Sequence, residues 1–280
     1  MAHGATERTG AQAVERAISV LGCFTTAAPR LGLPQLAELA HLPASTTYRI
    51  AQALVRGGLL ERHGRDGYQV SPGMVALARP ALSRLRIDAA APHLYRLAAR
   101  IKLAVTFGVP GDSDLITVLC ARPAAGVCEH QLPSEREPLH ASALGKAMLA
   151  FGGPGLQAGL GDLNDLGRFT SRTLTTVPEL KADLALTRER GFAFSDQERA
   201  EGVRAVAVPV LSPDREPAVA VIGVQACSAR LTDQLVKELA PALQYFAREV
   251  GRALAERPEK ALVTPTMRER ACLPEGSEER

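Results

Sequence analysis

At 280 residues, with 46% hydrophobic and 22% charged side chains, the chain is globular in composition and long enough to bury two separate cores. No apolar run approaches the ~18–20 residues of a membrane span, and the first thirty residues lack the pattern of a secretory leader, so a cytoplasmic protein without a membrane partner is expected. A net charge of +3 is too mild to announce a nucleic-acid binder, but no lysine precedes Lys102, so arginine is the main cation of the N-terminal third. Arginine suits bidentate contact with guanine edges and phosphates, and it also follows from a GC-rich genome.

Residues 1–8 are polar and expected to be loose. Thr9 and Gln12 have capping-box spacing and open a helical pattern of Val14, Ala17, Ile18, Leu21 and Phe24, which Pro29 and Gly32 close. A short second helix places Leu36, Leu39 and Ala40 on one face; His41-Leu42-Pro43 turns the chain, and a third helix runs from about Ser45 to Arg56 before Gly57-Gly58. At ~100° per residue, Thr47, Ile50, Ala51 and Leu54 fall on one side of the third helix. Ser45, Arg49, Gln52 and Arg56 fall within an arc of roughly 60° on the other. Such a row can enter a major groove, where Arg reads guanine and Gln reads adenine. The helix N-terminus, with the Ser45 and Thr46 hydroxyls, can hold a phosphate.

Leu59–Arg62 and Tyr68–Val70 read as two strands joined around Gly64 and Gly67. Residues 9–70 therefore predict a winged helix-turn-helix domain, with Arg65 near the wing tip. Its candidate DNA contacts are Gln35, Ser45, Thr46, Tyr48, Arg49, Gln52, Arg56 and Arg65. Ser71-Pro72 starts a linker helix over 71–88, in which Met74, Leu77, Ala78, Leu82 and Leu85 form an apolar stripe that could pair with a second copy. Pro80 interrupts that stripe, and a further helix follows from about Pro92 to Arg100.

Beyond Lys102, strand-like segments at 103–109, 115–120, 127–131, 192–195, 203–210 and 218–224 alternate with helices at 143–151, 176–190 and 232–255. Thr176 with Glu179 is a second capping box, Gly191 a C-terminal stop, and Pro241 predicts a kink or break in the last helix. The order predicts an α+β chain whose second domain, over 89–255, is an antiparallel sheet flanked by helices, with a disordered tail over 256–280.

Several catalytic readings fail on spacing. Ala143–Ala147 lacks the glycine and the Ser or Thr of a phosphate loop, and Gly152–Gly155 lacks dinucleotide spacing. Cys120, Cys128, His130 and His140 match no standard zinc pattern, and the five cysteines hold no Cys-x-x-Cys pair, so neither metal nor cofactor is expected. Asp196 and Glu198 could act as paired carboxylates, although a loop beside a sensing pocket explains them equally well.

The motifs Ala13–Ala17, Leu42–Arg49, Gly58–Glu61, Leu139–Ala147, Arg168–Thr173, Arg188–Phe192 and Gly202–Arg204 leading to Pro209-Val210 stand in one order. Over about residues 11–255 the chain resembles the IclR family of bacterial transcriptional regulators. The resemblance implies a GAF-like effector domain, a linker that joins reader domains into homodimers, and a dimer of dimers. It also implies a small-molecule effector, an organic acid or aromatic metabolite, controlling affinity for a double-stranded DNA operator. The effector positions that it implies are Ala143, Leu144, Ser195, Asp196, Ala205, Gly223 and Gln225. This chain departs from the family where a cysteine is common at Ala205 and serines at Gly223 and Gln225, which points to a larger or more apolar ligand. The alternatives are a metabolite-converting enzyme with a DNA-binding appendage and an adaptor that uses the winged domain as a scaffold.

Overall fold

The computed structural model describes residues 3–26, 28–64, 67–124, 132–153, 166–211 and 217–256. Arg65, the strand expected at 127–131 and residues 257–280 lie outside them.

Helix α1 (His3–Thr26) starts ahead of the Thr9–Gln12 pair, which therefore sits inside a helix and not at its cap. The expected loose stretch is helical from His3 because Ala5, Glu7 and Arg8 favour helix and no proline interrupts them. Strand β1 (Arg30–Gly32) leads into α2 (Leu33–Leu39). A Schellman pair ends α2: the Leu42 N–H donates to Ala37 O at 2.9 Å and the His41 N–H to Glu38 O at 3.1 Å. His41 takes the left-handed position at φ 53°, so the three-residue turn has a definite geometry.

Helix α3 (Ala44–Arg56) follows Pro43, and β2 (Leu60–His63) and β3 (Gly67–Val70) form the wing. Strand β1 joins them in the order β1-β3-β2, a third strand too short for alternation to reveal. Val20, Leu31, Leu36, Ala51, Leu54, Leu60 and Tyr68 form the core of this unit.

The expected linker is α4 (Gly73–Leu85), whose first N–H is accepted by the Ser71 hydroxyl at 3.1 Å. It runs through Pro80 and ends where Arg86 turns left-handed at φ 51°, after which α5 (Ile87–Ile101) begins. No residue of α4 is buried, and Val75 and Leu77 are exposed.

The second unit is a six-stranded sheet of order β6-β5-β4-β9-β8-β7, antiparallel throughout. Its strands are β4 (Val105–Pro110), β5 (Asp114–Ala121), β6 (Arg136–Pro138), β7 (Ala193–Asp196), β8 (Val203–Leu211) and β9 (Ala218–Cys227). The helices are α6 (Ala143–Phe151), α7 (Val177–Arg190) and α8 (Asp233–Ala255). The period of two on β8 and β9 splits the core: Val208 and Ile222 pack with Leu97 and Phe246, whereas Ala207 and Val221 pack with Leu144, Met148 and Leu184. Helices α5 and α8 thus cover one face and α6 and α7 the other, an α+β architecture. Helix α8 shows no break at Pro241. Buried neighbours Leu239, Ala240, Leu243, Phe246 and Ala247 hold both halves, and their burial outweighs the ~3 kcal/mol cost of the proline. Among the described residues no helix is long and apolar enough to cross a membrane.

Candidate functional site

Two places gather chemistry: the outer face of α3 and a cavity in the second unit. On α3, Thr47, Ala51 and Leu54 are buried, while Ser45, Tyr48, Arg49 and Arg56 are exposed and Thr46 is partly so. Arg49 and Arg56 make no hydrogen bond or ion pair with the described residues, so both guanidinium groups keep their donors free. Gln52 is half-buried, and its amide donates to the Tyr68 hydroxyl at 3.1 Å, which ties α3 to the wing. Gln35 is exposed, and its side-chain carbonyl accepts the Gly32 N–H at 2.9 Å and caps α2. A groove of about 910 Å³ runs beside α3, bordered by Thr46, Tyr48, Arg49, Gln52 and Arg56 and, from α1, by Gln12 and Arg16. The α1 pair escaped sequence reasoning because only packing brings α1 alongside α3.

The cavity encloses about 450 Å³ between the start of α6, strands β4, β8 and β9, the turn after β7, and the segment leading to β6. Ala143, Leu144, Ser195, Ala205, Gly223 and Gln225 line it, as do Thr106, Leu132, Ser134, Glu137, Ser142 and Arg199. Apart from Ser142, which belongs to the Leu139–Ala147 motif, the second group lies on segments that no effector motif singled out, and Glu137 and Arg199 carry the cavity's charge. At Gly223 a β-carbon would stand 2.7 Å from Leu144 Cδ2 and 3.0 Å from Val206 O, so glycine lets α6 approach the strand pair. The Gln225 amide reaches across the cavity and donates to Leu132 O at 2.9 Å.

Much of the hydroxyl chemistry on the wall is already committed. The Ser195 hydroxyl donates to Ala141 O at 3.0 Å; that of Ser142 donates to Pro138 O at 2.8 Å and accepts the Gly145 N–H at 3.0 Å. Asp196, expected beside the ligand, does not line the cavity. Its carboxylate accepts from Arg204 Nε at 2.7 Å and from Arg172. Partial burial pushes that carboxyl up, and the arginines win and hold it below the ordinary range.

One ionic cluster braces this corner. Lys146, fully buried on α6, donates to both Glu198 oxygens at 2.7 and 2.8 Å, with Asp183 of α7 3.0 Å away. Burial pushes the Glu198 carboxyl up, against the pull of Lys146. The Glu198 carbonyl accepts the Thr173 hydroxyl at 2.7 Å, so the turn after β7 is fastened to α6 and to the Arg168–Thr173 motif. Glu198 is therefore spent as the partner of a buried lysine and is not paired with Asp196 for acid–base work. His140 Nε2 lies 2.9 Å from Gly167 O, with its ring near Phe169, whereas His130 and Cys128 lie outside the described residues.

Comparison with known proteins matches both units of the chain. The profile described as "Bacterial transcriptional regulator IclR C-terminal" matches residues 80–252, and that described as "IclR helix-turn-helix domain" matches residues 13–64. The HTH-type transcriptional regulator BhcR of Paracoccus denitrificans is 29% identical over 261 residues, covering 91% of each chain. The crystal structure of RHA06195 from Rhodococcus sp. RHA1 is 27% identical, with a TM-score of 0.70 over 87% of this chain and 98% of that one. An IclR homolog from Microbacterium hydrocarbonoxydans, solved in complex with 4-hydroxybenzoate, shares the fold at a TM-score of 0.70 and 22% identity, covering 86% of this chain and 98% of its own.

Proposed function

Because this chain belongs to the IclR family of bacterial transcriptional regulators, DNA-binding proteins and not enzymes, we propose that a small organic molecule in the second-unit cavity sets its affinity for an operator. In this reading residues 9–70 are the reader, 71–88 the linker and 89–255 the sensor. Ser45, Tyr48, Arg49 and Arg56 face the major groove, Thr46 sits at the helix start over a phosphate, and Arg65 contacts the backbone from the wing. Gln35 and Gln52 serve this face by holding α2 and the wing in place.

The observation that carries the reading is the cavity. Its volume of about 450 Å³ falls within the ~300–1,000 Å³ range of ligand pockets, and its walls combine an apolar body with a few polar groups. That size suits a ring-bearing molecule better than a two- or three-carbon acid, and Ala205 and Gly223 offer the latter no side-chain hydrogen bond. The 4-hydroxybenzoate complex of the Microbacterium homolog supports the same size class on the same fold. The exposed Val75 and Leu77 of α4 support pairing of linkers in a homodimer, with a dimer of dimers as the larger assembly.

The test is a gel-shift titration of the full chain against its own upstream region, with 4-hydroxybenzoate added in a second series. Specific, salt-sensitive binding is expected, and the ligand should change it by about 5–150-fold, the range of ordinary allosteric coupling. Operator affinity that no aromatic acid alters at any salt concentration would refute the switch.

A further inference from the structure

We propose that Arg199 is the residue by which the cavity reads a carboxylate on its ligand, and that Glu137 occupies the guanidinium until that carboxylate arrives. The proposal rests on the cavity being the ligand site.

Arg199 differs from the other arginines that pack around the sheet. Arg188 donates to Ala150 O at 2.8 Å, Arg190 to Phe192 O at 2.6 Å, and Arg204 to Asp196 at 2.7 Å and Asp233 at 2.8 Å. Arg199 makes no hydrogen bond with any described residue; its buried Nε has only the ion-pair contact with Glu137. Its guanidinium carbon lies 4.6 Å from the Phe169 ring centroid, a cation–π contact that uses none of its N–H donors. A planar fork with five donors on a residue of the cavity wall matches the two oxygens of a carboxylate.

Glu137 holds that fork loosely. Its Oε2 stands 3.6 Å from Arg199 Nε, beyond hydrogen-bond distance, and its Oε1 is taken by the Ser134 N–H at 2.8 Å. It is almost wholly buried, and burial pushes its carboxyl up, so its charge is costly there. An incoming carboxylate that reached hydrogen-bond distance of the guanidinium would replace a poor contact with a good one.

The rest of the wall sets the orientation. The Ser195 and Ser142 hydroxyls have given their hydrogens to carbonyls, and Ala205 and Gly223 have no polar side-chain atom. Apart from the Thr106 hydroxyl and the first backbone N–H groups of α6, the rest of the wall offers a carboxylate little, and Leu144, Val206 and Val224 receive an apolar body. An amine-bearing ligand would have to seat its charge on Glu137, whose Oε1 already accepts the Ser134 N–H, whereas the Arg199 donors make no hydrogen bond, so an acid is favoured.

The experiment is calorimetric titration of the full-length protein with benzoate, benzamide and benzylamine, repeated on Arg199→Met and Glu137→Gln. Benzoate should bind about 10- to 100-fold tighter than benzamide, the scale of a charged hydrogen bond. Arg199→Met should erase that preference while leaving benzamide within about twofold, and Glu137→Gln should tighten benzoate by removing its competitor. If the methionine variant fails to fold by circular dichroism, Arg199→Lys keeps the charge without the fork and should lose most of the preference. Equal binding of acid and amide, or a preference that survives loss of the guanidinium, overturns the assignment while the cavity stands as a ligand site. Preference for benzylamine overturns it in favour of Glu137. If none of the three binds wild type or Glu137→Gln, the proposal falls together with the reading of the cavity as an aromatic-ligand site.

Discussion

The two units treat their cations in opposite ways. On α3, Arg49 and Arg56 stand in solvent with no partner among the described residues, whereas in the second unit Arg188, Arg190 and Arg204 are tied to carbonyls and carboxylates and Lys146 is buried between two acids. A free surface cation exchanges water and counterions for phosphate at little cost, while a committed one must first break a native contact. In the proposed function, location relative to a partner separates a reading arginine from a structural one, and Arg199 stands between them, on a cavity wall with no hydrogen bond to a described residue.

The sharpest way to break this comparison is to remove the buried cation. Lys146→Met leaves the buried Glu198 beside Asp183 without its counter-charge, and should lower unfolding free energy by about 3–5 kcal/mol in urea titration. A loss under about 1 kcal/mol would mean that the cluster is solvated and not a brace.

On the reader side, Arg49→Ala should leave the melting temperature within a degree or so yet weaken operator binding by about 1–3 kcal/mol, with relaxed discrimination at one base pair. A uniform loss across all sequences, with a shallower salt dependence, would reassign Arg49 to the phosphate backbone.

Glu137 supplies a pH test of the cavity. Burial raises its folded carboxyl above the ordinary value, so the stability linked to this group is complete below the usual carboxylate range and is lost as pH rises through the raised value. Glu137→Gln escapes that loss and should melt higher than wild type near neutral pH, the advantage vanishing as pH falls to ~4. An advantage that persists at low pH would point to packing and not to the charge.

The smallest effect belongs to the turn between α2 and α3. His41 sits at φ 53°, a conformation that costs an L-residue roughly 1 kcal/mol. His41→Gly should stabilise the reader by about that amount without changing operator affinity, as thermal melting and gel shift together would show.

Legibility in the sequence followed the range of the interactions. The apolar stripe of Thr47, Ala51 and Leu54, the Thr176 cap and the Gly191 stop are local, and each appears where spacing placed it. Expectations that needed distant partners fared worse. Spacing puts Gln52 on the outward arc, where it borders the groove, and only the fold shows that Tyr68 on the wing accepts from its amide. Asp196 was assigned to the cavity, yet Arg204 and Arg172 hold it outside. Pro241 predicts a kink or a break, and of these the break does not occur, because buried residues on either side keep α8 continuous.

Sequence alone determined the helix-turn-helix order, the α+β alternation and the family, because periodicity, caps and contiguous motifs are written within a few residues of one another. Only the tertiary structure decided what Glu137, Arg199 and Lys146 do. Their partners lie tens of residues away, and the burial that sets the cost of each charge exists only once the sheet has closed over them.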